Sequence, residues 1–420
     1  MSVKKTPLKK GLPKTAMRLA AIASLIAAAL TPSHNAKAQT LTGTVTVNSG
    51  QTASYGETYV EGQVFDNGTV NSGEVQDGIY TTGAVVLNSG TWTDPDGFYI
   101  GNVGNGSLTL EGNSVLNTNT ALVETYFGNG VANISGGVWT NADQFVIGNT
   151  GMTGYSGILT ITGGTLTNQS GAFTVGSNGP GTMTVAGGIV NSGGTVSVAV
   201  SAGINGTVNI GNGSTAGILN ALIVSAGAGN AVLNFNQSGS ISFNPQITGN
   251  MTVNNIAGTT VLTGSNPYTG PTTISGGILK LGMNGSIANS SVVSIAAGGV
   301  FDTTSQSTFA MLATQQFTFT LNPANGGAAG LINAAGLDIT NANVNFSPGG
   351  DLAGQTYVIA DYTSLVGTQF ASVTGLENGY TIDYAYDNGT EIAAEAVPEP
   401  TTSGMLVGAF GTMLWFRRRV

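Results

Sequence analysis

Short runs in which apolar and polar residues take turns recur along the middle of the chain. Examples are Ser107-Leu108-Thr109-Leu110, Ile158-Leu159-Thr160-Ile161-Thr162, Thr182-Met183-Thr184-Val185, Thr207-Val208-Asn209-Ile210 and Thr195-Val196-Ser197-Val198-Ala199-Val200. In each, Leu, Ile, Val or Met supplies one face and Thr, Ser or Asn the other. Side chains of a strand point alternately to opposite faces, so the pattern predicts strands buried on one side. No run of helical period with caps occurs between 39 and 396.

Glycine breaks these runs at regular places. "YIGN" at 99–102, "YFGN" at 126–129, "VIGN" at 146–149 and "TVGS" at 174–177 each put a glycine after an aliphatic or aromatic pair or its equivalent. A second series, Gly112-Asn113, Gly136-Gly137, Gly163-Gly164 and Gly187-Gly188, follows the strands at spacings of 24, 27 and 24 residues. Asn-Gly pairs beginning at 67, 105, 129, 205, 212, 284, 325, 378 and 388 are expected to supply positive-φ corners. Three short strands per unit and a period in the twenties predict an all-β fold, a parallel β-solenoid (β-helix) in which each rung stacks on the last. Each rung buries several aliphatic side chains, worth roughly 1.5–3 kcal/mol apiece.

Within 39–300 one stretch is sharper than the rest: "GTTVLTGSNPYTGPTTISGGILKLG", residues 258–282. Its strand, Gly-x-Asn-x-Tyr-x-Gly corner, Thr-rich strand and Gly-x-Leu-x-x-Gly resemble the autotransporter-associated β-strand repeat. The resemblance implies a β-helical stalk like an autotransporter passenger. Pro271, just after Gly270, predicts a turn or edge there, because proline cannot donate to a ladder. Nothing at the C-terminus resembles the alternating ten-residue strands of an outer-membrane barrel. From 301 to 396, segments 357–367, 369–376 and 380–397 are richer in Tyr, Phe and Asp; they are expected to be final rungs and an aromatic cap over the last open edge.

Charge is divided sharply. The 420 residues carry a formal charge of −9, yet seven of the 11 basic residues lie in the first 37 positions and three are Arg417, Arg418 and Arg419. Only Lys280 stands between, His34 is in the leading segment, and there is no cysteine. One lysine builds no basic patch, so nucleic acid is not an expected partner of the body. Zinc and iron–sulfur sites of the Cys/His kind and Ser-His-Asp or Cys-His nucleophile systems lack their residues.

The leading segment has the three parts of a secretory signal, residues 1–38, read by the Sec translocon. Lys4, Lys5, Lys9, Lys10, Lys14 and Arg18 precede an apolar run, Leu19–Leu30, and Ala36-Lys37-Ala38 forms a small-residue cleavage site before Gln39. Twelve residues are too few to span roughly 30 Å of hydrocarbon.

The other end reads "EAVPEPTTSGMLVGAFGTMLWFRRRV". Residues 402–416 predict a short transmembrane helix, about 22 Å at 1.5 Å per residue, with Arg417, Arg418 and Arg419 held cytoplasmic. Pro398 and Pro400 keep the preceding segment extended. Val397-Pro398-Glu399-Pro400, the helix and the terminal arginines resemble the PEP-CTERM sorting signal of Gram-negative bacteria, over residues 397–420. The resemblance implies an exosortase as processing partner, transient membrane anchoring, then transfer to the cell surface or extracellular space, and an association with exopolysaccharide.

Candidate chemistry is confined to carboxylates and aromatics. Asp94-Pro95-Asp96-Gly97 could serve a β-helix glycoside hydrolase through a carboxylate pair, or be plain turn chemistry. A polysaccharide lyase wants a cation at its developing anion, and Lys280 stands alone. No cofactor is expected; Asp66, Asp94, Asp96 and Asp387 near glycine turns are the oxygen ligands a structural calcium would use. Tyr99, Tyr126, Trp92 and Trp139 are either a sugar-stacking stripe or internal packing. The expected function is that of an exported surface or matrix element, structural, adhesive or polysaccharide-associated, without catalytic residues; the alternative is an Asp-based carbohydrate-active enzyme.

Overall fold

A computed structural model describes residues 38–397 apart from 79, 125, 152 and 153. The alternating runs wind into a parallel β-solenoid of about 12 turns. Its first two-thirds is three-sided. The first face begins at Gln39–Leu41 and gathers ten strands, ending at Gln246–Thr248. The second begins at Thr44–Val47 and runs on through the molecule, and the third holds eight strands from Thr52–Ser54 to Ile218–Asn220.

Coil sits on coil without slippage. On the second face Gly106 pairs with Gly130, Gly130 with Gly157 and Gly157 with Gly181, which reproduces the 24, 27, 24 spacing. Each inward position therefore stacks on the same position below. Leu108, Ala132, Leu159, Met183, Val208 and Leu233 form one such column, all buried. Trp92, Leu116, Trp139, Leu166, Val190 and Leu219 form another on the third face. The Trp139 ring meets Phe145 edge-on at 5.0 Å, and Phe145 stacks on Phe173 at 5.0 Å. Trp92 and Trp139 thus serve internal packing, the second of the two roles open to them.

The corners depart from the sequence reading in instructive ways. Gly78, Gly101, Gly148 and Gly176 turn the chain from first to second face with φ between +72° and +78°. In "YFGN", however, the equivalent residue is Glu124, at φ +72°, because Val123 is the partner of Ile100. That corner is longer, so Gly128 falls beyond the turn and the motif is out of register with its look-alikes. The Asn-Gly pairs act differently from expectation as well. Gly106, Gly130 and Gly206 lack a positive φ and open second-face strands; a Cβ on Gly106 would lie 2.2 Å from the Gly101 nitrogen. Close approach of two backbones requires these glycines, not turn geometry. Gly213, Gly326, Gly379 and Gly389 do take the predicted left-handed conformation. Two alternations also end early. Ile158 faces outward, and Ala199 leaves its strand at φ +54°, exposing Val200.

Beyond residue 226 the cross-section changes. Asn230–Phe243 is one bent strand with register shifts around Asn236 and Ser240, and the next, Thr252–Leu262, pairs with two separate strands above it, Thr272–Ile274 and Gly277–Leu281. Pro271 lies outside regular structure just before Thr272, as expected. The Tyr268 ring is fully buried; its hydroxyl lies 2.7 Å from Thr272 Oγ1, which lies 2.8 Å from Ser290 Oγ. The coil closes antiparallel: Glu391–Ala396 pairs with both Tyr357–Val366 and Tyr380–Ala385.

Ala38 is exposed and Gln39 begins the first strand. Ala36, Pro398, Glu399, Pro400, Arg417, Arg418, Arg419 and the predicted helix 402–416 lie outside the described residues. Val397 is exposed and donates its N–H to the Gly379 carbonyl at 2.7 Å. Among the described residues no helix is long and apolar enough to cross a membrane.

Removing a column member should uncouple neighbouring rungs. Trp139→Ala, which deletes a buried ring and its hydrogen bond to Thr118, is expected to cost about 3–5 kcal/mol in chemical denaturation. The outward Ile158→Thr change should leave the transition within about 0.5 kcal/mol.

Candidate functional site

The two aspartates of the 94–97 turn face opposite ways. Asp94 is the last inward residue of its strand, Thr91–Asp94, and is 1% exposed. Its Oδ1 accepts from the backbone N–H groups of Asp96 and Gly97, both at 3.0 Å, while Oδ2 has no partner. Asp96 is exposed. An inward carboxyl that caps its own turn shares no cleft with an outward one, so the pair is not gathered for acid–base work on a glycosidic bond. Burial pushes the Asp94 carboxyl up to about 7.

Asp94 belongs to a buried polar column. By register Thr118, Asn141 and Asn168 follow it coil by coil. Thr118 donates to Asn141 at 2.7 Å, and the Asn141 carboxamide donates to Asn168 at 2.7 Å. The indole of Trp92 donates to Ser72 at 2.8 Å and that of Trp139 to Thr118 at 3.0 Å. This is a ladder of satisfied amides and hydroxyls down one interior corner, and it rigidifies rather than reacts.

Three further acids are buried: Asp66, named in the sequence as an oxygen ligand, and Asp77 and Glu124, which sequence reasoning about function missed. Asp66 sits in an aliphatic column between Val47 and Leu87, and Asp77 in another between Val60 and Ile100. Glu124, fully buried, accepts at Oε2 from the backbone N–H groups of Asn149 at 2.9 Å and Thr150 at 3.2 Å, and its Oε1 has no partner. Burial raises all three: Asp66 to about 6, Glu124 to about 7, and Asp77 well above the carboxylate range. The spacing of the repeat was the available signal for Glu124, since an acid stands there where register demands glycine.

Asp66, Asp94 and Asp387 occupy separate turns and do not converge; Asp387 lies in the closing hairpin at φ +44°. Among the described residues no group of three or more His, Cys, Asp or Glu side chains is placed to hold a metal ion. Lys280 pairs with Asp302 on the next coil at 2.8 Å.

Most large aromatics are interior, but three of them stand exposed on one ridge. Consecutive corner loops stack between the first and second faces, Val103 donating to Gly78 at 3.2 Å and Tyr126 to Asn102 at 3.1 Å. They present Tyr80, 74% exposed, Tyr126, 62%, and Phe127, 46%. Of the four aromatics singled out in the sequence, Tyr126 is on this ridge, Tyr99 is half-buried on the first face, and the two tryptophans are interior.

Residues 257–281 match the model of the passenger-associated transport repeat. Comparison with curated proteins and with solved structures gave no match. The solenoid and the repeat together define a passenger-like β-solenoid, the architecture of exported, surface-type structural proteins. The matched segment takes in the second half of Thr252–Leu262, the Tyr268 corner and the strands Thr272–Ile274 and Gly277–Leu281, within the later coil.

The buried acids make stability pH-dependent with a definite sign. Their folded-state values lie above those of the unfolded chain, so the native state holds more protons and stability falls as pH rises from about 4 through 7. The melting temperature is therefore expected to be higher at pH 5 than at pH 8, and Asp94→Asn with Glu124→Gln should flatten that slope. Melting curves followed by circular dichroism across this range check it.

Proposed function

We propose that this chain is an exported structural rod of the cell surface or extracellular matrix, passenger-like in build and associated with extracellular polysaccharide. The observation that carries the reading is the passenger-associated repeat seated within a parallel coil, paired with the coil below and the coil above. Export begins at the Sec translocon with cleavage after Ala38, which leaves Gln39, the first residue of the first strand, as the new terminus. The 402–416 helix then holds the chain briefly, Arg417, Arg418 and Arg419 resist its passage, and an exosortase cuts near Val397-Pro398-Glu399-Pro400. Once outside, a hydrated acidic surface with a ridge of exposed aromatics suits contact with uncharged sugar faces.

The processing steps are tested by producing the full chain in a Gram-negative host with and without an exosortase and weighing the mature protein. The expected product begins at Gln39, lacks Arg417–Val420 and reaches the surface only when the exosortase is present; Pro398→Ala with Pro400→Ala should keep it in the membrane fraction. An intact tail in both hosts would overturn the sorting assignment. The structural role is checked separately by incubating the purified protein with pectic, alginate-like and cellulosic polymers. Binding without new reducing ends is expected, whereas cleavage lost on Asp94→Asn would replace the structural reading with an enzymatic one.

A further inference from the structure

The third face stops in mid-rod. Its last strand, Ile218–Asn220, pairs with Ile189–Ser192 below, and no strand is paired onto its other edge. The coil above reaches this place as the second half of Asn230–Phe243. The register shifts lie around Asn236 and Ser240, and the second half pairs with Thr252–Leu262 above but, among the described residues, with no strand below. Contact resumes only at the following corner, where Gln246 donates to the Leu222 carbonyl at 3.0 Å.

Alternate residues of a parallel strand turn their N–H and C=O to opposite neighbours. Ile218 donates down to Gly188 at 2.9 Å, so Leu219 turns both its backbone groups toward the open edge. Neither has a backbone partner among the described residues, although Leu219 is only 6% exposed. A nearly buried amide and carbonyl left unpaired are costly. Leu219 also lines an open hollow of about 440 Å³, together with Asn191, Asn220, Ala221 and Leu222 and, from the coil above, Asn244 and Pro245. That volume is within the range of ligand sites. Leu222, one of its lining residues, is 71% exposed, and Ile218, next to Leu219 in the strand, is 54% exposed.

The outward carboxamides name the chemistry of what fits. Asn191 donates to Thr167 at 3.3 Å and Asn220 donates to Asn191 at 2.8 Å, which leaves the Asn220 side-chain oxygen as the open end of a ladder. On the second face the same kind of ladder is not interrupted: Asn254 donates to Asn234 and Asn234 to Asn209 on the coil below, each at 2.8 Å. A strand laid along Leu219 would direct an aliphatic residue inward over the Leu219 column and an Asn or Thr outward over Asn220. No charged residue lines the hollow.

We propose that this edge is a strand-addition site, which takes an uncharged extended peptide segment of the form Thr-Leu-Thr-Asn, paired through Leu219 and seated in the adjoining hollow. Main-chain bonds supply affinity and the alternating side chains supply selectivity. A sugar offers hydroxyls to the rim but no side chain to continue the aliphatic column.

The test uses a fluorescein-labelled peptide copying residues 163–170, Gly-Gly-Thr-Leu-Thr-Asn-Gln-Ser, titrated into the mature protein and followed by anisotropy. Saturable binding is expected, weakened about tenfold or more when the two amides flanking the leucine are N-methylated. It should also be abolished by Ala221→Trp, which fills the hollow, in a protein whose melting curve is unchanged. Equal binding of the N-methylated peptide would overturn strand addition even if Ala221→Trp fails to fold. Displacement of the peptide by a neutral polysaccharide such as dextran, with the same loss on Ala221→Trp, would reassign the hollow to a glycan; no binding at millimolar peptide would sink the proposal.

Discussion

Everything in this rod depends on one constraint: a coil of parallel strands must land in register on the coil below. The hydrogen-bond ladder runs along the axis, so an inward residue meets the residue one period earlier and the one a period later. Chemistry is therefore sorted into columns. An aliphatic column such as Leu108 to Leu233 stays dry, and a polar one from Thr118 to Asn168 satisfies itself by passing hydrogen bonds from coil to coil. Where a column is broken, as by Asp66 and Asp77 among valines and leucines, the acid can only stay protonated or destabilise the coil that holds it.

The same constraint distributes function. Since the faces are committed to stacking, residues free to meet a partner are, apart from the unpaired third-face edge at Leu219, those on corner loops, whose length varies without disturbing the ladder. The corner beginning at Glu124 is one of these, and it presents Tyr126 and Phe127 beside Tyr80 and Val103. A rod built this way offers long, weakly charged, glycine- and asparagine-rich faces with aromatics along one edge. That is a surface for many shallow contacts, and it accords with a passenger-like part whose action is through shape and reach.

Much of this was legible beforehand because the relevant physics is local. Alternation at Ser107–Leu110 or Thr182–Val185 shows which side chains go in, and the 24, 27, 24 recurrence of glycine is the coil length itself. The Tyr268 corner stood out because Gly, Asn, Tyr and Gly fall at set offsets. Harder to read were the positions whose meaning comes from a residue two dozen places away. "YFGN" looks like "VIGN" but is displaced from it, and Asn105-Gly106 looks like a turn although its glycine exists to let Gly101 pass.

By composition and pattern alone, the chain determined that it would be all-β, coiled and free of Cys/His chemistry in its body. Those properties follow from single residues and their near neighbours. Only the folded rod decided that Asp94 points inward and Asp96 outward, that Trp92 and Trp139 are packing rather than display, and that the third face ends unpaired at Leu219. Each of these is set by which coil lies above and below, and that contact exists only once every preceding corner has been turned.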